Sequence, residues 1–132
     1  MFLLWIYFIE NNICLNAHKD ITTFTNIIFN LRLENIIKEF GDKTIGDNGC
    51  LLSSGQRQKI GLARAILHKK PIMIFDEPHS NLDNKSMEGL AKLINEYLKD
   101  CTVICVTHSS FFSENFEILY EITDCGQIVR RR

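Results

Sequence analysis

Apolar and polar positions change rhythm twice between residues 71 and 107. Ile72-Met73-Ile74-Phe75 is an unbroken apolar run closed by Asp76-Glu77, and it reads as a strand. Met87, Leu90, Ala91, Ile94, Tyr97 and Leu98 then fall at helical spacing, which predicts an amphipathic helix over 84–99. Cys101 to Thr107 is a second apolar run rich in Val and Ile, expected to lie parallel to the first. A right-handed strand–helix–strand crossover is the ordinary arrangement. The expected fold class is therefore α/β.

Upstream the period is helical. Phe24, Ile27, Ile28 and Leu31 form one set, and Leu33, Ile36, Ile37 and Phe40 a second. The phase slips between Leu31 and Leu33, which predicts two short helices or a bend. Glu34 and Lys38 make a favourable i,i+4 pair. Gly41 to Gly49 reads as a loop. Ser53 or Ser54 can cap the next helix, which carries Ile60, Ala63 and Leu67 on one face and Arg57 and Arg64 on another. His68-Lys69-Lys70 suits its last turn, and Pro71 ends it. Residues 117–122 and 127–130 predict two strands joined by Asp124-Cys125-Gly126. Phe2 to Ile9 is apolar and reads as a buried strand or a docking segment.

Composition narrows the classes. A chain of 132 residues forms one domain at most. A net charge of -1 gives no electrostatic case for nucleic acid or an anionic membrane, and Arg130-Arg131-Arg132 reads as a solvated tail. Five cysteines without metal-ligand spacing point to reduced thiols and a cytosolic setting. Cys101 and Cys105 share a strand face and read as packed thiols. The apolar start is shorter than the about 20 residues a membrane helix needs. Its first positive charge is Lys19, so a secretory signal is not expected.

The candidate chemistry sits at the strand end. Asp76 and Glu77 are delivered to the carboxyl edge of the sheet, where ligands of open α/β sheets bind. One carboxylate can hold Mg²⁺ near a nucleotide while the next polarises water. Leu52-Ser53-Ser54-Gly55-Gln56 opens a helix with small residues, which makes an anion site.

These residues together resemble the ABC-type ATPases, the nucleotide-binding domains of ABC transporters. Gln56 to Leu67 is similar to the family's signature helix, Pro71 to Glu77 to its Walker B strand, Ser80-Asn81-Leu82-Asp83 to its D-loop, and Thr107-His108 to its switch histidine. The resemblance is firm from Ile45 to Ser110 and weaker towards both ends. It implies a partial P-loop NTPase core sheet, with residues 14–60 as the helical subdomain and 61–132 as the Walker B and switch portion. It implies ATP and Mg²⁺ as cofactors, Asp76 as the metal residue, Glu77 and His108 as catalytic residues, and Ser53, Ser54, Gly55, Gln56 and Asp83 as nucleotide contacts. It implies a second nucleotide-binding domain and the coupling helices of a transmembrane domain as partners, and a place at the cytoplasmic face of a membrane. Ile45-Gly46-Asp47-Asn48-Gly49 resembles the exporter-type loop before the signature, although the family prefers Glu where Asp47 stands and Gly where Ser54 stands.

No Gly-x-x-x-x-Gly-Lys-[Ser/Thr] phosphate loop occurs in this sequence. In Gly41-Asp42-Lys43-Thr44 the Gly and Lys are not adjacent, and Ile36 stands where the first Gly belongs. The expectation is therefore the carboxyl-terminal portion of such a domain, inactive alone. Two other readings stay open: a non-catalytic fragment that docks on another subunit, and an ATPase of DNA repair or chromosome maintenance. The compact spacing from signature to Walker B argues against the last. His18, His68 and His79 are expected at the surface, with a nucleotide-proximal role for His79 as the secondary reading.

Overall fold

The computed structural model describes residues 8–15, 20–41 and 43–132. Strands β1 (Ile72–Asp76) and β2 (Thr102–Val106) pair in parallel, with Ile74 opposite Ile104 and Asp76 opposite Val106. Between them runs α5 (Asn84–Tyr97). It starts where Asp83 accepts the Ser86 N–H, and its buried stripe is Leu90, Ala91, Leu93 and Ile94. Each fully buried Leu there contributes about 1.5–3 kcal/mol over an exposed one.

Among the described residues four α-helices precede this unit: α1 (Ile9–Cys14), α2 (Ile21–Asn30), α3 (Glu34–Phe40) and α4 (Ser54–Leu67). The slip after Leu31 is a left-handed residue, Arg32 at φ 55. That turn lets Leu31 and Leu33 both point inward, each with no exposed surface. Gly89 of α5 lies so close to the end of α2 that a Cβ there would sit 2.0 Å from the Asn30 carbonyl oxygen. Arg64 of α4 reaches into α1, with Nε 2.6 Å from the Asn12 carbonyl oxygen and a second nitrogen 3.2 Å from Asn12 Oδ1. α4 runs unbroken through residues 60 and 61.

Several expectations are corrected. The stretch 2–9 lies outside the described residues up to Tyr7, and Phe8 caps α1 while Ile9 begins it. His18 and Asp42 are also outside them. His68 is half-buried, because its Nε2 meets the Ile13 carbonyl oxygen at 3.0 Å. A short helix unforeseen in the sequence, α6 (Ser110–Ser113), follows β2. The terminal hairpin is shorter than expected, with β3 (Tyr120–Ile122) antiparallel to β4 (Ile128–Arg130). The basic end is no loose tail: Arg131 Nε pairs with Glu121 at 2.6 Å, and Arg132 donates to the Phe116 carbonyl oxygen at 2.8 Å. All five cysteines are free thiols, and Cys101 and Cys105 pack half-buried against the core.

Met73 and Phe75 point into the core, while the opposite face of the sheet is bare. Ile74 is 70% exposed and Ile104 beside it 50%, with Ile72 and Val106 exposed on the same strands.

Candidate functional site

Parallel pairing in register brings the carboxyl ends of β1 and β2 side by side. Asp76 ends β1, and Glu77 follows at φ 45, an uncommon backbone for a residue with a Cβ. The Glu77 N–H donates to the Val106 carbonyl oxygen at 2.9 Å, which closes the ladder. Thr107 and His108 leave β2 at the same level. Glu77 Oε1 accepts the His108 N–H at 3.1 Å and lies 2.7 Å from His108 Nδ1. The two residues expected to act together are thus in direct contact, with the His108 side chain 83% exposed. Asp76 is exposed at the strand end, and its carboxylate makes no hydrogen bond or ion pair with a described side chain.

The other carboxylate oxygen is different. Glu77 Oε2 is buried without a hydrogen-bond partner. His79 Nε2 lies 3.4 Å from it without hydrogen-bond alignment. His79 is no surface residue, because its side chain is only 9% exposed. Its ring stacks on buried Phe112 of α6 at 5.4 Å and 18°, and its Nδ1 lies 3.4 Å from the Thr107 hydroxyl. From sequence alone His79 is expected first at the surface and only second near the nucleotide, since a loop residue two positions after Glu77 carries no periodic signal.

The start of α4 is built as a capping box. Ser53 Oγ accepts the Gln56 N–H at 3.2 Å, and Gln56 Oε1 accepts the Ser53 N–H at 2.7 Å. Ser54 and Gly55 follow in the first turn, where amides have no partner inside the helix. The side chains of Ser53 and Gln56 bond to each other's backbone N–H groups, not to Glu77. Instead, α4 is fastened to the loop after Glu77. Gln58 Nε2 donates to the Pro78 carbonyl oxygen at 2.8 Å and to that of Glu77 at 3.2 Å. Asn81 Nδ2 donates to Gln58 Oε1 at 2.9 Å. Gly55 sits so close to that loop that a Cβ would lie 2.6 Å from the Asn81 carbonyl oxygen. Asp83, expected at the nucleotide, is engaged within the chain by Lys59 at 2.9 Å and by Ser86. The hydrogen bond from Lys59 holds its carboxyl well below the usual carboxylate range. Gln58 and Lys59 were not singled out from the sequence beyond their place in the signature helix, because their partners lie some 20 residues further on.

Burial, and then the negative charges of Glu77 and Asp76, push the Cys105 thiol up to about 11. A groove of about 570 Å³ beside Phe29, Arg32, Lys85 and Gly89 contains none of the residues expected to act.

Residues 6–80, more than half of the chain, match the family described as ABC transporter. The chain belongs to that family. It is 33% identical over 126 residues to the ATP-dependent lipid A-core flippase of Pseudoalteromonas translucida (strain TAC 125), covering 92% of this chain and 22% of the flippase. It is 34% identical over 128 residues to the protein of the same name from Haemophilus influenzae (strain 86-028NP), covering 93% of this chain and 22% of the flippase. The chain thus spans about a fifth of the length of the curated relatives it matches. A solved bacterial Atm1-family ABC exporter with ATP bound superposes with a TM-score of 0.76 at 20% identity, covering 89% of this chain and 22% of the exporter chain. That likeness establishes the fold, a partial P-loop NTPase core of ABC type. Among the described residues no helix is long and apolar enough to cross a membrane.

Proposed function

We propose that this chain is the carboxyl-terminal portion of the nucleotide-binding domain of an ABC exporter, and that it acts in ATP hydrolysis only together with a phosphate-loop portion. The observation that carries the reading is the contact between Glu77 and His108 at the carboxyl end of the paired strands, 2.7 Å apart. The names of the flippases and of the exporter support an exporter over other ABC proteins.

The residues fit the cofactors in part. Asp76, exposed at the strand end, suits Mg²⁺ held through water. The capped start of α4 suits one phosphate group, through first-turn amides and the helix dipole. The cradle for the remaining phosphates is not in this sequence. Mg²⁺ bound with the nucleotide would offset charge building on the transferred phosphoryl oxygens.

Each residue has a stated task. Glu77 accepts a proton from the attacking water. His108 holds the Glu77 carboxylate through Oε1 and, being exposed, reaches the terminal phosphate. Ser53, Ser54, Gly55 and Gln56 bind the phosphate carried by a second nucleotide-binding domain. Asp83 positions the loop between them through Lys59 and Ser86. Residues 14–60 serve as the helical subdomain and 61–132 as part of the core. Asp47 and Asn48, exposed on the tight turn Asp47–Gly49, meet the coupling helices of a transmembrane partner at the cytoplasmic face.

The bare face of Ile72, Ile74, Ile104 and Val106 supports continuation of the core in a further portion of the domain. The test is complementation. The chain alone releases no phosphate from Mg-ATP above background. Adding, in trans or as a fusion, the phosphate-loop portion of a related exporter domain restores release. Hydrolysis by the chain alone, or none from any complemented form that binds ATP, contradicts the proposal.

A further inference from the structure

We infer that Glu77, His79 and His108 form a binding site for a divalent transition metal of the zinc class. The three side chains each offer one ligand atom, and these atoms lie within 4.8 Å of one another. Two imidazoles and one carboxylate, with water completing the shell, are an ordinary zinc donor set. In a tetrahedral site with bonds of about 2.0–2.1 Å the ligand atoms stand roughly 3.3 Å apart. Glu77 Oε1 lies 2.7 Å from His108 Nδ1 and Glu77 Oε2 lies 3.4 Å from His79 Nε2, so the carboxylate sits between the two imidazoles, and turning it or the exposed His108 ring brings one oxygen and both nitrogens onto one ion.

The site is built rather than accidental. Glu77 Oε2 is a buried carboxylate oxygen with no hydrogen bond, and it faces His79 Nε2. Leaving such an atom unpartnered costs free energy that a cation recovers. His79 is fixed by its stack on Phe112, and its other nitrogen faces the Thr107 hydroxyl. A partner of that kind sets the tautomer and orientation of a metal-binding imidazole. Glu77 is itself held in left-handed backbone, a strain of the sort found at ligand sites. Imidazole donors favour zinc, copper or nickel over Mg²⁺, which prefers oxygen ligands. The free cysteines are not part of the cluster.

Metal binding and the use of Glu77 on water compete for one carboxylate, a consequence that rests on the reading above. The binding test contains no nucleotide and stands apart from it. Titrate Co²⁺, then Zn²⁺, into the full 132-residue chain in excess Mg²⁺. The expected result is saturable visible absorption without a thiolate charge-transfer band, displaced by Zn²⁺. His79→Gln and His108→Gln each weaken binding at least tenfold, while Cys50→Ser with Cys125→Ser leaves it unchanged. His108 is exposed, so His108→Gln keeps the fold and decides the matter even where His79→Gln does not fold. No saturable binding, binding indifferent to His108→Gln, or a thiolate band overturns the site.

Discussion

Asp83→Ala tests how the loop after Glu77 is held against α4. The carboxylate makes three contacts: the Ser86 N–H at 3.0 Å, the Ser86 hydroxyl at 2.9 Å and Lys59 Nζ at 2.9 Å. Losing the cap costs about 1 kcal/mol. Ser86 is fully buried, so its abandoned hydroxyl adds about 1–3 kcal/mol. The Lys59 pair adds only about 0.2–1 kcal/mol, because the Asp83 side chain is 54% exposed and screened. Alanine should therefore cost about 2–5 kcal/mol. Asparagine keeps one oxygen, enough for the Ser86 N–H cap, but puts an NH2 where the other oxygen accepts from the Ser86 hydroxyl and Lys59, so it should cost about 1–2 kcal/mol, less than alanine. Urea unfolding followed by circular dichroism reads both. The pH dependence has a definite sign. The folded Asp83 carboxyl is held below its usual range, first by the Lys59 hydrogen bond. Its contribution is complete above the ordinary value of about 3.9 and fades as pH falls from there through the folded value. The gap between wild type and Asp83→Ala should narrow below about pH 4. Equal losses for Asn and Ala, or a gap unchanged down to about pH 3, refute the assignment.

Gly89→Ala should destabilise the chain by about 1–3 kcal/mol in the same assay, despite a helix-propensity gain of about 1 kcal/mol. The new Cβ would lie 2.0 Å from the Asn30 carbonyl oxygen, so α2 and α5 must separate; a stabilised variant would contradict that packing. At neutral pH, iodoacetamide should alkylate Cys125 well before Cys105, as peptide mass spectrometry would show. The Cys125 thiol is exposed and lowered by its hydrogen bond with Thr123, whereas the half-buried Cys105 is pushed up to about 11. Equal rates would place Cys105 away from the two carboxylates.

The strand–helix–strand unit was legible because its periods are clean and its ends are punctuated by Pro71, Asp83 and Thr107. Once two strands run parallel in register, Asp76-Glu77 and Thr107-His108 must meet at one edge, so their contact follows from topology. Ser53 and Gln56 were readable as a cap because both partners are local. The remainder depends on packing between distant segments. Phe112 lies beneath His79 through a four-residue helix too short to leave a periodic trace. His68 and the arginines after β4 look exposed by type, yet each is held by a carbonyl or carboxylate far away in sequence.

The central claim is that Glu77 carries the chemical step once the phosphate-loop portion is supplied. The most direct measurement is single-turnover ATP hydrolysis by that complemented unit, comparing wild type with Glu77→Gln. The amide keeps the shape of the side chain but cannot accept the proton of water. Hydrolysis should slow by about 10²-fold or more while ATP remains bound. Rates that agree within a factor of about two, less than half a kcal/mol in barrier, would contradict the account.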